Sequence, residues 1–252
     1  MSTEDRASRI LALLQERGHV EVGAVAAGLG TSEMTIRRDL DRLVARGAAR
    51  RVRGGAVSLL MRGEELPFSI RALEGNDAKR AIAAATSELI RDGEAIVLDS
   101  GTTALEVAKV LASRRLTVMP LSLHSALVLG ASPSIRLLIP GGETRFGELA
   151  MVGPLAEASI AGLRFDTAIL SCCGLSAEGV ITAHDLRDAA VKRAMVKSAT
   201  RVMLVADSSK FARTAMAVVA DSSAIDVLIT DAAAPPEAVR AVADLGVDVH
   251  RV

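Results

Sequence analysis

The sequence predicts an α/β protein in two parts: a small N-terminal unit that presents one polar helix face, and a larger, mostly parallel α/β unit. Three observations predict it. Residues 31–44, Thr-Ser-Glu-Met-Thr-Ile-Arg-Arg-Asp-Leu-Asp-Arg-Leu-Val, carry an amphipathic helix pattern with guanidiniums on the polar side. Charge divides along the chain although it sums to zero. Residues 1–62 hold 11 Arg, no Lys and 7 acidic residues (+4), leaving 19 basic and 23 acidic residues (−4) for 63–252. From residue 80 onward, short apolar runs alternate with helical patterns, as strands and helices packed in layers require.

In the 31–44 helix, Thr31 and Ser32 can each supply a capping oxygen, and Gly30 permits the sharp turn before them. At about 100° per residue, Ile36, Leu40, Leu43 and Val44 form one apolar stripe. Met34, Thr35, Arg38 and Arg42 face the other way, with Arg37 and Asp39 on the borders. Arg forks suit guanine edges and phosphates, and a Thr methyl suits the thymine methyl. Alone, such a helix is equally a solvated surface helix; its neighbours argue otherwise. Arg6–Glu16 reads as a first helix and Val22–Leu29 as a short second one. Helix, short helix, tight turn and polar-faced helix make the helix-turn-helix plan, whose last helix enters the major groove. Gly47 stops the third helix, and Arg50-Arg51-Val52-Arg53-Gly54-Gly55 suits a small basic hairpin, a wing along the phosphate backbone.

Ser32-Glu-Met-Thr-Ile-Arg-Arg-Asp-Leu40 and Arg51-Val-Arg-Gly-Gly-Ala56 resemble the signature of the DeoR family of bacterial transcriptional regulators. Arg53 stands where that family often has His. The resemblance implies a DNA-binding head at residues 1–57, with the helix-turn-helix at about 20–39. It implies DNA contacts from Thr31, Ser32, Met34, Thr35, Arg37, Arg38, Arg42, Arg51 and Arg53.

The adjacent pair Cys172 and Cys173 makes a poor staple and lacks a second pair for zinc, so two small core residues in a reducing cytoplasm are expected. None of the four histidines pairs at ligand spacing, and no metal or cofactor is expected. Residues 116–135 hold no charged residue, but two prolines, His124 and four serines interrupt them. Two buried elements are expected there, not a membrane span.

Arg62-Gly63-Glu64-Glu65, Pro67 and Gly75-Asn76-Asp77 read as a connecting segment, placing a linker at 58–76 and a second domain at 77–252. Helices are expected at Arg80–Arg91, Ala104–Ala112, Ser125–Gly130, Pro154–Ala161, Leu186–Thr200 and Pro236–Leu245. Strands are expected at Ala95–Leu98, Leu116–Met119, Ile135–Ile139, Thr167–Ser171, Val202–Ala206, Val227–Ile229 and Val247–Val249. Such continuous apolar strands imply a parallel sheet covered on both faces.

In these sheets ligands sit beyond the carboxyl ends of the strands. Asp99-Ser100-Gly101-Thr102-Thr103 lies there, directly before a helix whose N-terminus favours an anion, though Gly with Ser/Thr is also an ordinary cap. Pro140-Gly141-Gly142-Glu143 and Asp207-Ser208-Ser209-Lys210-Phe211 also follow strands, and Lys210 offers a cation. These loops, with Ala189-Ala-Val-Lys-Arg-Ala-Met195, resemble the effector domain of the same family, whose fold is related to ribose-5-phosphate isomerase. The resemblance implies a phosphorylated sugar or related effector held by Asp99, Ser100, Gly101, Thr102, Thr103, Gly141, Gly142, Asp207 and Lys210. Pro120-Leu121-Ser122 stands where Thr-Asn-Ser is usual, and Asp188 where Glu is usual.

The function expected is a cytoplasmic, homo-oligomeric DNA-binding repressor of a carbohydrate operon. The alternative is a sugar-phosphate isomerase carrying a DNA-binding head. Isomerisation needs a base and groups to steady an enediolate. The loop Cys173-Gly-Leu-Ser-Ala-Glu-Gly179 supplies only Glu178, so no enzyme is expected.

Overall fold

The computed structural model describes residues 3–45, 47–59, 67–72 and 75–252. The expected connecting residues Arg62-Gly63-Glu64-Glu65 lie outside them. The chain divides into two compact units, Met1–Glu74 and Gly75–Val252.

The first unit runs α1 (Thr3–Arg17), β1 (His19–Glu21), α2 (Val22–Leu29), α3 (Glu33–Ala45), β2 (Ala49–Val52), β3 (Gly55–Ser58) and α4 (Phe68–Arg71). Ile10, Leu11 and Leu14 of α1 meet Val22 and Val25 of α2 and Ile36, Leu40 and Leu43 of α3 in one aliphatic core, joined by Ile70 of α4. Between α2 and α3, Gly30 takes a left-handed conformation (φ 61°) that lets its N–H reach back to the Ala26 and Ala27 carbonyls. The wing is a hairpin of β2 and β3 closed by Arg53-Gly54, and β1 adds to its other side in the order β1-β3-β2. β1 went unpredicted because three residues with exposed His19 and Glu21 show no usable period.

The second unit begins with α5 (Asn76–Glu88), β4 (Ala95–Leu98), α6 (Thr102–Leu111), β5 (Leu116–Pro120), α7 (Leu123–Gly130), β6 (Ile135–Leu137), β7 (Glu143–Arg145) and β8 (Ala150–Val152). It continues through α8 (Pro154–Ala161), β9 (Phe165–Ser171), β10 (Gly174–Leu175), β11 (Val180–Ala183), α9 (Leu186–Ser198), β12 (Ala199–Val205), β13 (Ala217–Asp221), β14 (Val227–Thr230), α10 (Pro236–Ala243) and β15 (Asp248–Arg251). Seven strands pair in parallel in the order β15-β14-β12-β9-β4-β5-β6. The expected mostly parallel α/β fold is thus present.

Side chains alternate across this sheet. Ile96, Leu98, Ile169, Met203 and Ile229 pack with α5, α6 and α7 on one face. Val97, Ala168, Leu170, Leu204 and Leu228 pack with α8, α9 and α10 on the other. The expected helix at Arg80–Arg91 starts earlier and ends sooner, at Asn76–Glu88. Two antiparallel pieces were not expected, the β7–β8 hairpin and the sheet β10-β11-β13. The hairpin is laid over the end of β5 through Met151 N–H to Leu121 O (2.8 Å) and Leu123 N–H to Leu149 O (3.0 Å).

Candidate functional site

The polar face of α3 is built by its cap. Ser32, not Thr31, does the capping: its hydroxyl accepts from Thr35 N–H (3.2 Å) and meets the Thr35 hydroxyl at 2.9 Å. The Thr35 hydroxyl is therefore already engaged. Met34 (60% exposed), Arg37, Arg38 and Arg42 project to solvent, and Thr31 is half-buried. Three guanidiniums expected to contact DNA have acidic partners within the protein. Arg37 pairs with Glu33 at 2.8 Å, Arg42 lies 3.6 Å from Asp39, and Arg51 lies 3.3 Å from Asp41 while donating to Gly55 O. Among the described residues, Arg38 and Arg53 have no ion pair. Arg50, exposed on β2 and equally unpaired there, was missed as a candidate contact. Asp39 corrects the helical-wheel reading: instead of bordering the polar face it is 2% exposed and bound by Arg6 of α1.

In the second unit the chain turns from β4 toward β5 and β6 on one side, and later fills β9, β12, β14 and β15 on the other. The crevice between the carboxyl ends of β4 and β9 is therefore the switch point where open α/β sheets take ligands. Asp99-Ser100-Gly101 follows β4, and Ser171 ends β9. Asp99 is buried, with both oxygens committed. Oδ1 accepts from Ser100 N–H (2.7 Å); Oδ2 accepts from Ser171 N–H (2.7 Å), the Ser171 hydroxyl (2.9 Å) and the Lys192 ammonium. Asp99, expected to touch effector, has partners within the protein on both oxygens and holds the loop in shape.

Lys192 and Ser171 were missed as site residues. Lys192, on α9, contacts Asp99, Asp188 (3.6 Å) and the Ser171 carbonyl (3.4 Å), which occupies the three donors of an ammonium. Burial works against its charge, but Asp188 and Asp99 prevail and hold its pKa above the ordinary 10.5. Asp188 is thus a structural counter-ion. The Ala-Val-Lys-Arg stretch was visible in the sequence, but Lys192 and Asp99 are 93 residues apart and only the fold joins them.

The groups left open lie on the other side of the loop. Gly101 caps α6 with φ 100° and supplies no side-chain cap, so the first N–H groups of α6 point past the end of the sheet. The hydroxyls of Ser100, Thr102 and Thr103 have no hydrogen-bond partner among the described residues, although all three residues are largely buried. Asp207 accepts from Ser209 N–H (2.9 Å) and the Ser209 hydroxyl, which folds its loop beyond β12. The Lys210 ammonium, half-buried in that loop, has no ion pair among the described residues. Cys172 sits between the two loops. Burial pushes its thiol up to about 12, while Lys210 and Lys192 pull it down and Asp207 and Asp99 push it up. β9 lies between β4 and β12, so the Asp99 and Lys210 loops leave the same edge of the sheet on either side of Cys172.

The third loop leaves the sheet after β6, and the hairpin it opens reaches back over the end of β5. β6 stands four strands from β12, about 19 Å at the usual spacing. Gly141 and Gly142 (φ 76° and 99°) start the β7–β8 hairpin, and a Cβ on Gly142 would stand 2.6 Å from Val152 O. Their glycine character answers to the turn. The hairpin in turn meets α9 through Glu143 and Arg187 at 2.9 Å. Among the described residues, no helix is long and apolar enough to cross a membrane, and no cluster of His, Cys, Asp and Glu suits a metal.

Residues 6–60 match the DeoR-like helix-turn-helix domain, and residues 74–232 match the DeoR C terminal sensor domain. Transcriptional repressor AccR of Agrobacterium fabrum is 37% identical over 234 residues, 91% of this chain and 90% of that one. The chain belongs to the DeoR family of transcriptional regulators. A second DeoR-type relative, the glycerol-3-phosphate regulon repressor of Escherichia coli, is 30% identical over 97% of both chains. A solved structure of ribose 5-phosphate isomerase A from Methanocaldococcus jannaschii is similar over 55% of each chain, at 15% identity and a TM-score of 0.42. This DeoR-family protein is a DNA-binding transcriptional regulator with a sensor domain. The isomerase alternative has no support, because both relatives are named as repressors.

Proposed function

We propose that the protein is a cytoplasmic, homo-oligomeric repressor of a carbohydrate operon that releases its operator on binding a phosphorylated sugar or related metabolite. The observation that carries the reading is the open N-terminus of α6 at the switch point. Backbone N–H groups and three hydroxyls stand there, Lys210 lies in the loop after β12 at the same edge of the sheet, and Asp99 is neutralised from behind by Lys192. A phosphate dianion fits donors and a cation so arranged. In this reading α6 and Lys210 hold the phosphate, and Asp207 lies toward the sugar hydroxyls. Gly141 and Gly142 act only through the hairpin. A relative named for the glycerol-3-phosphate regulon is consistent with a small phosphorylated effector. DNA is engaged by Arg38 at base edges and by Arg50 and Arg53 at phosphates, with Thr31, Ser32, Met34, Thr35, Arg37, Arg42 and Arg51 on the same surface. Calorimetric titration with inorganic phosphate and a panel of phosphorylated sugars tests the site. A heat of binding that Thr102→Val and Lys210→Ala both weaken supports it; binding that neither variant changes places the effector elsewhere.

A further inference from the structure

Among the described residues, the cluster that joins α1, α2 and α3 is aliphatic, and one carboxylate of α3 is buried with it. Asp39 projects from α3 among Ile36, Leu40 and Leu43, where it is 2% exposed. Two guanidiniums reach it. Arg6, on α1, closes a fork on both oxygens, with Nε to Oδ2 at 2.5 Å and Nη2 to Oδ1 at 3.3 Å. Arg42, one turn further along α3, brings Nη1 to within 3.6 Å of Oδ1, although its side chain is 58% exposed. The other two pairs of this surface, Arg37–Glu33 and Arg51–Asp41, join solvent-exposed carboxylates that exchange readily for phosphate. Asp39 differs because it cannot leave the core to be hydrated.

We propose that Asp39 is a specificity-determining positioning residue. Through Arg6 it fixes the roll of α3 against α1, and through Arg42 it draws back a guanidinium that would otherwise meet DNA phosphate, leaving Arg38 to read base edges. Arg38 and Arg42 are four residues apart and share a helix face. Without Asp39 both would reach the groove. A second free guanidinium adds affinity for any sequence, since a phosphate contact carries no base information. The carboxylate therefore favours discrimination over affinity. A purely structural pair would stabilise the helices and leave readout unchanged, which separates the two roles.

The test compares the full-length protein with Asp39→Asn and with the apolar replacement Arg6→Met/Asp39→Leu. The second keeps the site filled without a buried charge if the first fails to fold. Binding to the duplex the protein selects from a random pool, and to unselected duplex, is measured across salt concentration. In each folded variant, affinity for unselected duplex rises about tenfold. The slope of log K against log salt steepens by about one phosphate contact. Affinity for the selected duplex does not rise in proportion, so the ratio falls. Adding Arg42→Ala to either variant restores the original slope and ratio. Two results overturn the proposal. One is an unchanged slope and ratio in a folded Asp39 variant. The other is a loss of selected-duplex affinity on Arg42→Ala alone as large as on Arg38→Ala, since Arg42 would then read DNA already.

Discussion

Lys192 and Arg38 show how differently a charge behaves when the fold encloses it. Lys192 is a buried counter-ion to two buried carboxylates, so Lys192→Met removes the charge that balances them and should destabilise the protein by about 3–5 kcal/mol in chemical denaturation. Arg37→Ala removes an exposed pair and should cost less than about 1 kcal/mol. Arg38→Ala should leave the melting temperature unchanged and cost about 1–3 kcal/mol in operator binding, as a lost bidentate base contact does. Normal operator affinity in that variant would reject the assignment. Two of the groups with shifted pKa values, one at each end of α9's charge network, give opposite pH dependences. Asp185 caps α9; its burial raises the pKa, but N–H bonds from Asp188 and Arg187 prevail and hold it below 3.8. Its contribution is present above that value and lost as pH falls through the folded value. Lys192 is raised, so its contribution is complete below 10.5 and lost only as pH climbs beyond it. Neither group should alter stability between pH 5 and 9, and acid should loosen the first turn of α9 below about pH 4, visible by amide exchange. Contiguous motifs such as Ser100–Thr103 and Lys210 were legible in the sequence. Ser171, Lys192 and the interior position of Asp39 were not, because each depends on a partner that only folding brings near.

The elements legible from sequence were those with an unbroken apolar run or a clean helical stripe. Ala95–Leu98 and Pro154–Ala161 fall where the residues place them, since four consecutive aliphatic residues and a proline at a helix start are local signals. β1, β7, β8, β10, β11 and β13 escaped notice because they run two to five residues and pair with antiparallel partners that only folding supplies. Glycine marks where these pieces close on one another. A Cβ on Gly55 would lie 2.0 Å from Val20 O, so Gly55→Ala should push β3 off β1. The expected cost is about 1–3 kcal/mol of stability, with weaker binding to every duplex as the wing shifts. A crystal structure or amide exchange of β1 would show it; undisturbed β1 protection would count against this packing. Gly142→Ala meets Val152 O at 2.6 Å with a positive φ as well, so it should detach the β7–β8 hairpin while leaving DNA affinity unchanged.

At the scale of the whole molecule, a basic first part and an acidic second part share one chain, so neutral net charge conceals a DNA-binding surface. One winged head reads few base pairs, and a specific site usually needs two half-sites related by the protein's own symmetry. Light scattering of the full chain should give at least a dimer at micromolar concentration; a monomer would contradict this. Coupling between sensor and operator must be reciprocal, because each ligand can shift the protein only by its differential affinity for two arrangements. Fluorescence anisotropy of labelled operator, titrated with the phosphorylated sugar that binds in calorimetry, measures that coupling in wild type and Lys210→Ala. The sugar should release the wild type, and Lys210→Ala should hold DNA equally well yet need about ten- to a hundredfold more sugar to let go, matching a lost charge-assisted contact of about 1.5–3 kcal/mol. Release of both proteins at the same sugar concentration, or tighter operator binding as sugar is added, would contradict it.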